Sequence, residues 1–305
     1  MASYVVRRIL WLIPILFAVS VITFSLMHLV PGGPWATEKQ VAPGVEAAIE
    51  RKYHLGEPAW QQYGRWVIEM AQGDFGPSFK YGDRSINQLV TQGLGPTLHL
   101  GLMAFVLGIG LGVPLGVIAA LGHNRWPDYL ATTISVLGIA TPTFVLAILL
   151  VVFFSVGLKI FPAFGWGGPE TWVLPVIALG GFQVAQLARY TRASMLEVSH
   201  KEYIVTAHSK GLLPRTVVMR HMVRNALIPV ATVLGPMLAF LINGSFIIEA
   251  FFGVPGIGKY YVQGIAQRDY GLIMAMTVIY AVTIAVLNTV VDILYGYIDP
   301  RIRYR

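Results

Sequence analysis

A few residues in this chain have the types and spacing to do chemistry. The stretch "FFGVPGIGKYY", Phe251 to Tyr261, sets Gly253, Gly258 and Lys259 at the spacing of a phosphate-binding loop. In such a loop the backbone amides cradle phosphate, the Lys reaches the terminal phosphates, and a Ser or Thr after the Lys places a hydroxyl on Mg²⁺. Tyr260 occupies that last position here, and a phenol does not substitute for the short hydroxyl. His200, His208 and His221 are the candidates for metal or acid–base work, but their spacing matches no metal motif. Asp292 is a carboxylate inside an apolar stretch, a functional candidate by default. Its place near the end of that stretch makes pairing with Arg301 or Arg303 the cheaper explanation.

The elements that must position these residues follow from composition. Of 305 residues, 55% are hydrophobic and only 12% charged, with a mean hydropathy of +0.64. Soluble chains carry about 25% charged residues, so this is a membrane protein. Zero cysteines exclude disulfides, Cys-ligated zinc and thiol catalysis. Six apolar stretches are long enough to cross a hydrocarbon core of about 30 Å: Ile9–Val30, Leu98–Leu121, Thr132–Val156, Trp172–Tyr190, Leu227–Glu249 and Leu272–Tyr295. The first follows Arg7 and Arg8 like a signal peptide, yet its apolar run is too long for one and reads as a retained helix. The expected fold is all-α and polytopic, one membrane domain over 1–305.

Orientation follows from the basic residues, which collect on the cytoplasmic side. With the N-terminus inside, the inner segments gather Arg7, Arg8, Arg125, the run from Arg189 to Arg224, and Arg301, Arg303 and Arg305, against Asp128, Glu197, Glu202 and Asp299. Both termini are then cytoplasmic. The whole net charge of +7 comes from that face, and no nucleic acid is needed to explain it. The phosphate-loop look-alike falls outside, away from cellular ATP, and no parallel strand precedes it. Pro255 and its glycines suit a tight loop at the membrane surface.

The largest outer segment is an extracytoplasmic insertion over 31–97. Two short helices are expected in it: "GVEAAIERKYHLG", and "PAWQQYGRWVIEM" with Trp60, Tyr63, Val67 and Met70 on one face. Those aromatics read as an interfacial belt or the core of a small cap, or as contacts to a partner. The inner segment over 191–226 differs. Its basic residues, with those flanking it, would cost about 20 kcal/mol at the bilayer centre at roughly 3 kcal/mol each, so it lies outside the membrane. Leu196, Tyr203, Ile204 and Ala207, then Val217, Val218, Met222 and Val223, form apolar faces at helical spacing, with Gly211 and Pro214 marking a turn. A helix, glycine turn and helix projecting from a membrane domain has a face to bury, which points to docking into a cytoplasmic partner.

Within the spans, Gln183, Gln186, Asn243 and Ser245 are the candidates to line a path, since polar groups there need partners or water. Hydrogen bonding between helices would satisfy them equally well. Gly108, Gly112 and Gly116, four apart, read as a face for close helix packing.

With "TAHSKG" followed by "RHMVRNALIP", the chain resembles the Glu-Ala-Ala loop of binding-protein-dependent ABC importer permeases, which inserts into a cleft of a cytoplasmic ATPase. "RRILWLIPILFAVSVITFSLMHLVPGGP", "QGDFGPSF", "ARYTRASMLEV", "FFGVPGIG" and the terminal "DPRIR" extend the resemblance over essentially the whole chain, to the B-type subunits of the dipeptide/oligopeptide/nickel permeases. Glu202, Ala207 and Gly211 match the signature positions, although Thr206 and the spacing from Glu202 depart from a literal Glu-Ala-Ala. Read alone, they are equally a solvated Glu, a helix-favouring Ala and a helix-ending Gly.

The resemblance implies a six-helix type I ABC importer permease in the inner membrane of a bacterial or archaeal cell. It implies as partners a homologous C-type permease subunit, two cytoplasmic ATPases, an extracytoplasmic substrate-binding protein and the lipid bilayer. The chain would bind no cofactor, ATP and Mg²⁺ belonging to the ATPases. The cargo it implies is di- or oligopeptide, with nickel complexes, glutathione or oligosaccharides as alternatives. A secondary transporter would instead favour a midplane acid or His relay and inverted repeats, and neither is present.

Overall fold

The computed structural model describes residues 2–29, 56–78, 80–81 and 84–298. Among them the regular elements are all helical, with one isolated antiparallel bridge between Pro77 and Ser85. The helices are α1 (Ala2–Leu29), α2 (Ala59–Ala71), α3 (Ile86–Leu121), α4 (Trp126–Ala140) and α5 (Thr143–Leu150, running on as a π-helix over Val151–Gly157). After these come α6 (Pro169–Ser199), α7 (Glu202–Ser209) and α8, which opens at Pro214–Thr216, becomes a π-helix over Val217–Val223 and returns to α over Arg224–Gly244. The last three are α9 (Phe246–Phe252), α10 (Ile257–Gln267) and α11 (Tyr270–Ile298).

Five stretches are long and apolar enough to cross a membrane: Leu10–Leu29, Ile86–Leu121, Pro169–Ser199, Pro214–Leu241 and Tyr270–Val290. The α4–α5 pair makes a sixth, but not as the straight span expected over Thr132–Val156, because it bends by 107°. Pro142 is the cause. A proline disfavours the α conformation in the residue before it, and Thr141 is extended at φ −85°, ψ 119°. The fifth span also differs from expectation, since its helix starts at Pro214, ends at Gly244, and leaves Glu249 to α9. At 1.5 Å per residue the 31 residues of α6 reach about 46 Å, well beyond a core of about 30 Å. Its C-terminal turns, with Arg189 and Arg192, therefore project past the apolar layer.

The chain divides into two compact units, Leu98–Phe252 and a second made of Met1–Thr97 with Gly253–Arg305. In the first, α3 meets α6 through glycines four residues apart. A Cβ on Gly108 would lie 2.9 Å from the Gln183 Cβ, on Gly112 2.7 Å from the Val184 carbonyl oxygen, and on Gly116 2.5 Å from that of Ala188. Only hydrogen fits at these crossings, which is why the small stripe exists. Helices α4, α5 and α8 also pack on α6, the central element of this unit.

In the second unit α1 packs on α11, and α2 lies against both. Its buried face carries Tyr63, Trp66, Val67 and Met70, while Trp60, expected on that face, points outward at 73% exposure. The Tyr63 ring packs edge-on against Phe17 and Phe24, and its hydroxyl is 2.8 Å from the buried Ser20 hydroxyl. So α2 sits beside the middle of the first apolar span. The other helix expected in this insertion lies outside the described residues except for Gly56. Asp269 caps α11, accepting the Leu272 amide at 3.0 Å and the Ser78 hydroxyl.

Candidate functional site

The segment after α6 is built as a short helix and a turn. Lys201 is extended at the N-cap, and α7 runs from Glu202 to Ser209. Thr206 and Ser209 turn their hydroxyls onto the carbonyls of Glu202 and Val205, both at 3.0 Å, satisfying themselves locally. The helix stops at Gly211, whose φ of +72° is left-handed. There the Gly211 amide donates to the His208 carbonyl at 2.9 Å and the Leu212 amide to that of Ala207 at 3.3 Å, the paired bonds of a Schellman cap. A Cβ on Gly211 would meet nothing within 4 Å, so its backbone angle alone requires glycine in this chain.

One face of α7 is pinned. Ile204 and Ala207 are buried with Ala120 of α3, Met195 and Val198 of α6, and Val217, Met222 and Ala226 of α8. Ala207, at 5% exposure, thus packs on its own chain rather than outward, and its small size sets how closely α7 approaches α6 and α8. The other face is bare: Tyr203 and Val205 are exposed, as are Leu213 in the turn after it and Met219 at the start of α8. Glu202 is exposed beside them and forms no ion pair among the described residues.

Just past the buried face lies a cluster that the sequence reading did not single out. Asp128, in the first turn of α4, is 2% exposed, and its carboxylate is held by the fork of Arg192: Nε donates to Oδ1, and Nη2 to Oδ2 at 2.8 Å. The Asn124 amide donates to Oδ2 at 3.0 Å, the Thr132 hydroxyl reaches Oδ1 at 3.4 Å, and His123 Nδ1 stands 3.2 Å from Oδ2. The available signal was an isolated acid within a basic inner face.

The path candidates separate. Gln183 and Gln186 come together in a cleft of about 420 Å³ between α6 and α8, with Phe182, Tyr190, Thr232 and Phe240 among its walls. The Gln183 side chain is buried, and its Oε1 has no hydrogen-bond partner among the described residues. Ser245 is elsewhere: fully buried, it donates to the carboxylate of Glu249, a second buried acid that the sequence reading assigned to a span end. The side chains of Asn243 and Asp292 lie outside the described part of the structure.

The phosphate-loop look-alike has a different construction. Gly253 takes a φ of +71°, Gly256 caps α10, and the Ile257 amide donates to the Thr97 hydroxyl at 3.0 Å. A Cβ on Gly93 would sit 2.8 Å from that same Ile257 nitrogen. The first amide of the helix is thus enclosed by the chain's own residues, with no strand leading into it.

Comparison with known proteins agrees with this arrangement. Residues 112–304 match the family described as binding-protein-dependent transport system inner membrane component, and residues 1–82 match the N-terminal part of that system's membrane component. The chain is 43% identical over 307 residues to the oligopeptide transport system permease protein OppB of Haemophilus influenzae, each covered in full. It is also 43% identical over 303 residues to the dipeptide transport system permease protein DppB of Bacillus subtilis, covering 99% of this chain and 98% of that one. Among solved structures, the inward-facing MetNI methionine ABC transporter shares the fold at a TM-score of 0.59 and 16% identity, over 70% of this chain and 97% of that one. An amino acid ABC transporter with histidines follows at 0.55 and 17%, over 69% and 94%. Its apolar spans, its glycine-capped turn and its full-length likeness to OppB and DppB agree, and the chain belongs to the binding-protein-dependent inner membrane components, as a permease subunit of an ABC importer.

Proposed function

We propose that this chain is one of two homologous permease subunits that import short peptides, driven by cytoplasmic ATPases that contact α7 and the turn after it. The carrying observation is the two-sided construction of α7: Ile204 and Ala207 fix it to α3, α6 and α8, while Tyr203, Val205 and Leu213 remain exposed around Gly211. An exposed apolar patch on a basic projection is a surface for a partner. Glu202 pairs with a basic residue of the ATPase, and ATP and Mg²⁺ stay on that partner. By the distribution of Arg and Lys, α7 and both termini are cytoplasmic, and segments 31–97 and 251–270 face a substrate-binding protein on the other side.

The relatives are named for oligopeptide and dipeptide transport, and a cleft lined by Gln186, with the buried Gln183 behind it, suits backbone amides of any sequence. The test is reconstitution with the second permease, the ATPases and a binding protein, measuring uptake of labelled peptides and ATP hydrolysis together. Peptide-stimulated hydrolysis coupled to uptake is expected. Uptake driven by a proton gradient without ATP would overturn the importer reading, and stimulation by nickel complexes or glutathione but not by peptides would overturn the cargo.

A further inference from the structure

We infer that Asp128 and Arg192 are positioning residues for energy coupling: their ion pair, with the carboxylate buried and the guanidinium partly exposed, makes the start of α4 move as one body with α7. This rests on the reading of α7 as the ATPase contact. Arg192 lies one helical turn before Met195, and Met195 packs in the cluster that holds Ile204 and Ala207. Ala120 of that cluster closes α3 immediately before the turn carrying His123 and Asn124. A push on α7 therefore reaches Met195 and Ala120 directly, and the Arg192 fork passes it to Asp128 and α4. From α4 it arrives at the 107° break at Thr141.

The ion pair is an expensive way merely to hold helices together. Desolvating the Asp128 carboxylate offsets much of what its pairing with Arg192 gains. What a bidentate guanidinium–carboxylate fork adds is fixed orientation. Elsewhere α4 meets α6 through small residues, with Gly138 so close that a Cβ would lie 2.7 Å from the Ala185 Cβ, a contact without directional preference. The turn before α4 is also held in place. Asn124 adopts a left-handed φ of 58°, uncommon for a non-glycine residue, with its amide bound to Asp128.

The test uses the assembled complex with cysteine-free partners, this chain having no cysteine of its own. Nitroxide labels on cysteines replacing the exposed Tyr129 of α4 and His208 of α7, the latter outside the apolar contact patch, report their separation in nucleotide-free and ATP-trapped states. A single narrow distance, unchanged by nucleotide, is expected. Asp128→Asn broadens it and lowers peptide imported per ATP hydrolysed several-fold. The double variant Asp128→Asn with Arg192→Gln is no worse than either single change, as for two residues acting as a unit. A narrow distance retained in Asp128→Asn, or a wild-type distance that changes with nucleotide, would overturn the proposal. If Asp128→Asn fails to assemble, Arg192→Lys keeps the charge without the fork and should give an intermediate width. An unbroadened distance in Arg192→Lys would also sink it. Normal import by Gly211→Val, by contrast, would overturn the ATPase reading of α7 itself, whatever the distances show.

Discussion

At the scale of single residues, Gly211 is decided by its backbone. Its φ is +72° with open space around it, so a substitution is tolerated in proportion to how well the new residue enters the left-handed region. Valine pays about 1–2 kcal/mol there, whereas asparagine visits it routinely. Gly211→Val should abolish import while the chain still inserts and pairs with the second permease. Gly211→Asn should keep most of the import, with binding-protein-stimulated ATP hydrolysis as the measurement. If valine and asparagine behave alike, the turn geometry is not what matters. Lys259 gives the opposite expectation, because the helix start beside it is already occupied by Thr97. Lys259→Ala should leave ATP binding by the assembled complex unchanged, as measured by equilibrium binding of a fluorescent nucleotide.

At the scale of elements, the α3–α6 crossing can be tested with two alanines on one helix. A methyl on Gly116 would overlap the Ala188 carbonyl oxygen and the Thr191 Cβ, at 2.5 and 2.6 Å, and backbone cannot turn aside as a side chain can. Gly116→Ala should destabilise by about 1–3 kcal/mol through overpacking. Gly110, on the same helix, meets nothing within 4 Å, so Gly110→Ala should stabilise by up to about 1 kcal/mol through helix propensity. Thermal unfolding of the purified subunit pair in detergent distinguishes them, and a lower midpoint for both would mean that the crossing is not the determinant.

At the scale of the whole molecule, sidedness links the fold to the proposed function. A cysteine placed at Leu213, in the turn after α7, should react with an impermeant maleimide only from the cytoplasmic side, and one placed at Lys259 only from outside. Reaction of both from the same side would refute the orientation drawn from the basic residues. The chain reconstituted without a second permease should support no uptake, because the two path candidates that come together, Gln183 and Gln186, line a cleft of about 420 Å³ between two helices rather than a channel. Uptake by the lone chain, measured with labelled peptide in vesicles, would count against the paired arrangement.

Features that short-range physics controls were legible along the chain. Apolar runs of span length located the membrane helices, though not the break in the third or the ends of the fifth, the spaced glycines of α3 marked the close crossing, and Gly211 with Pro214 marked the turn, because hydropathy, glycine freedom and proline sterics act within a few residues. The tertiary structure decided whatever depends on which distant residues meet. The Asp128–Arg192 fork joins residues 64 apart, so neither looked special in its own segment. Ala207 turned out to face its own helices, Trp60 pointed outward from the face it was expected to share, and Ser245 met Glu249, since helical spacing names a face but not its neighbour. Thr132–Val156 was expected as one uninterrupted span, and its 107° bend at Pro142 emerged only in the structure, because the angle depends on how α4 and α5 each pack against α6.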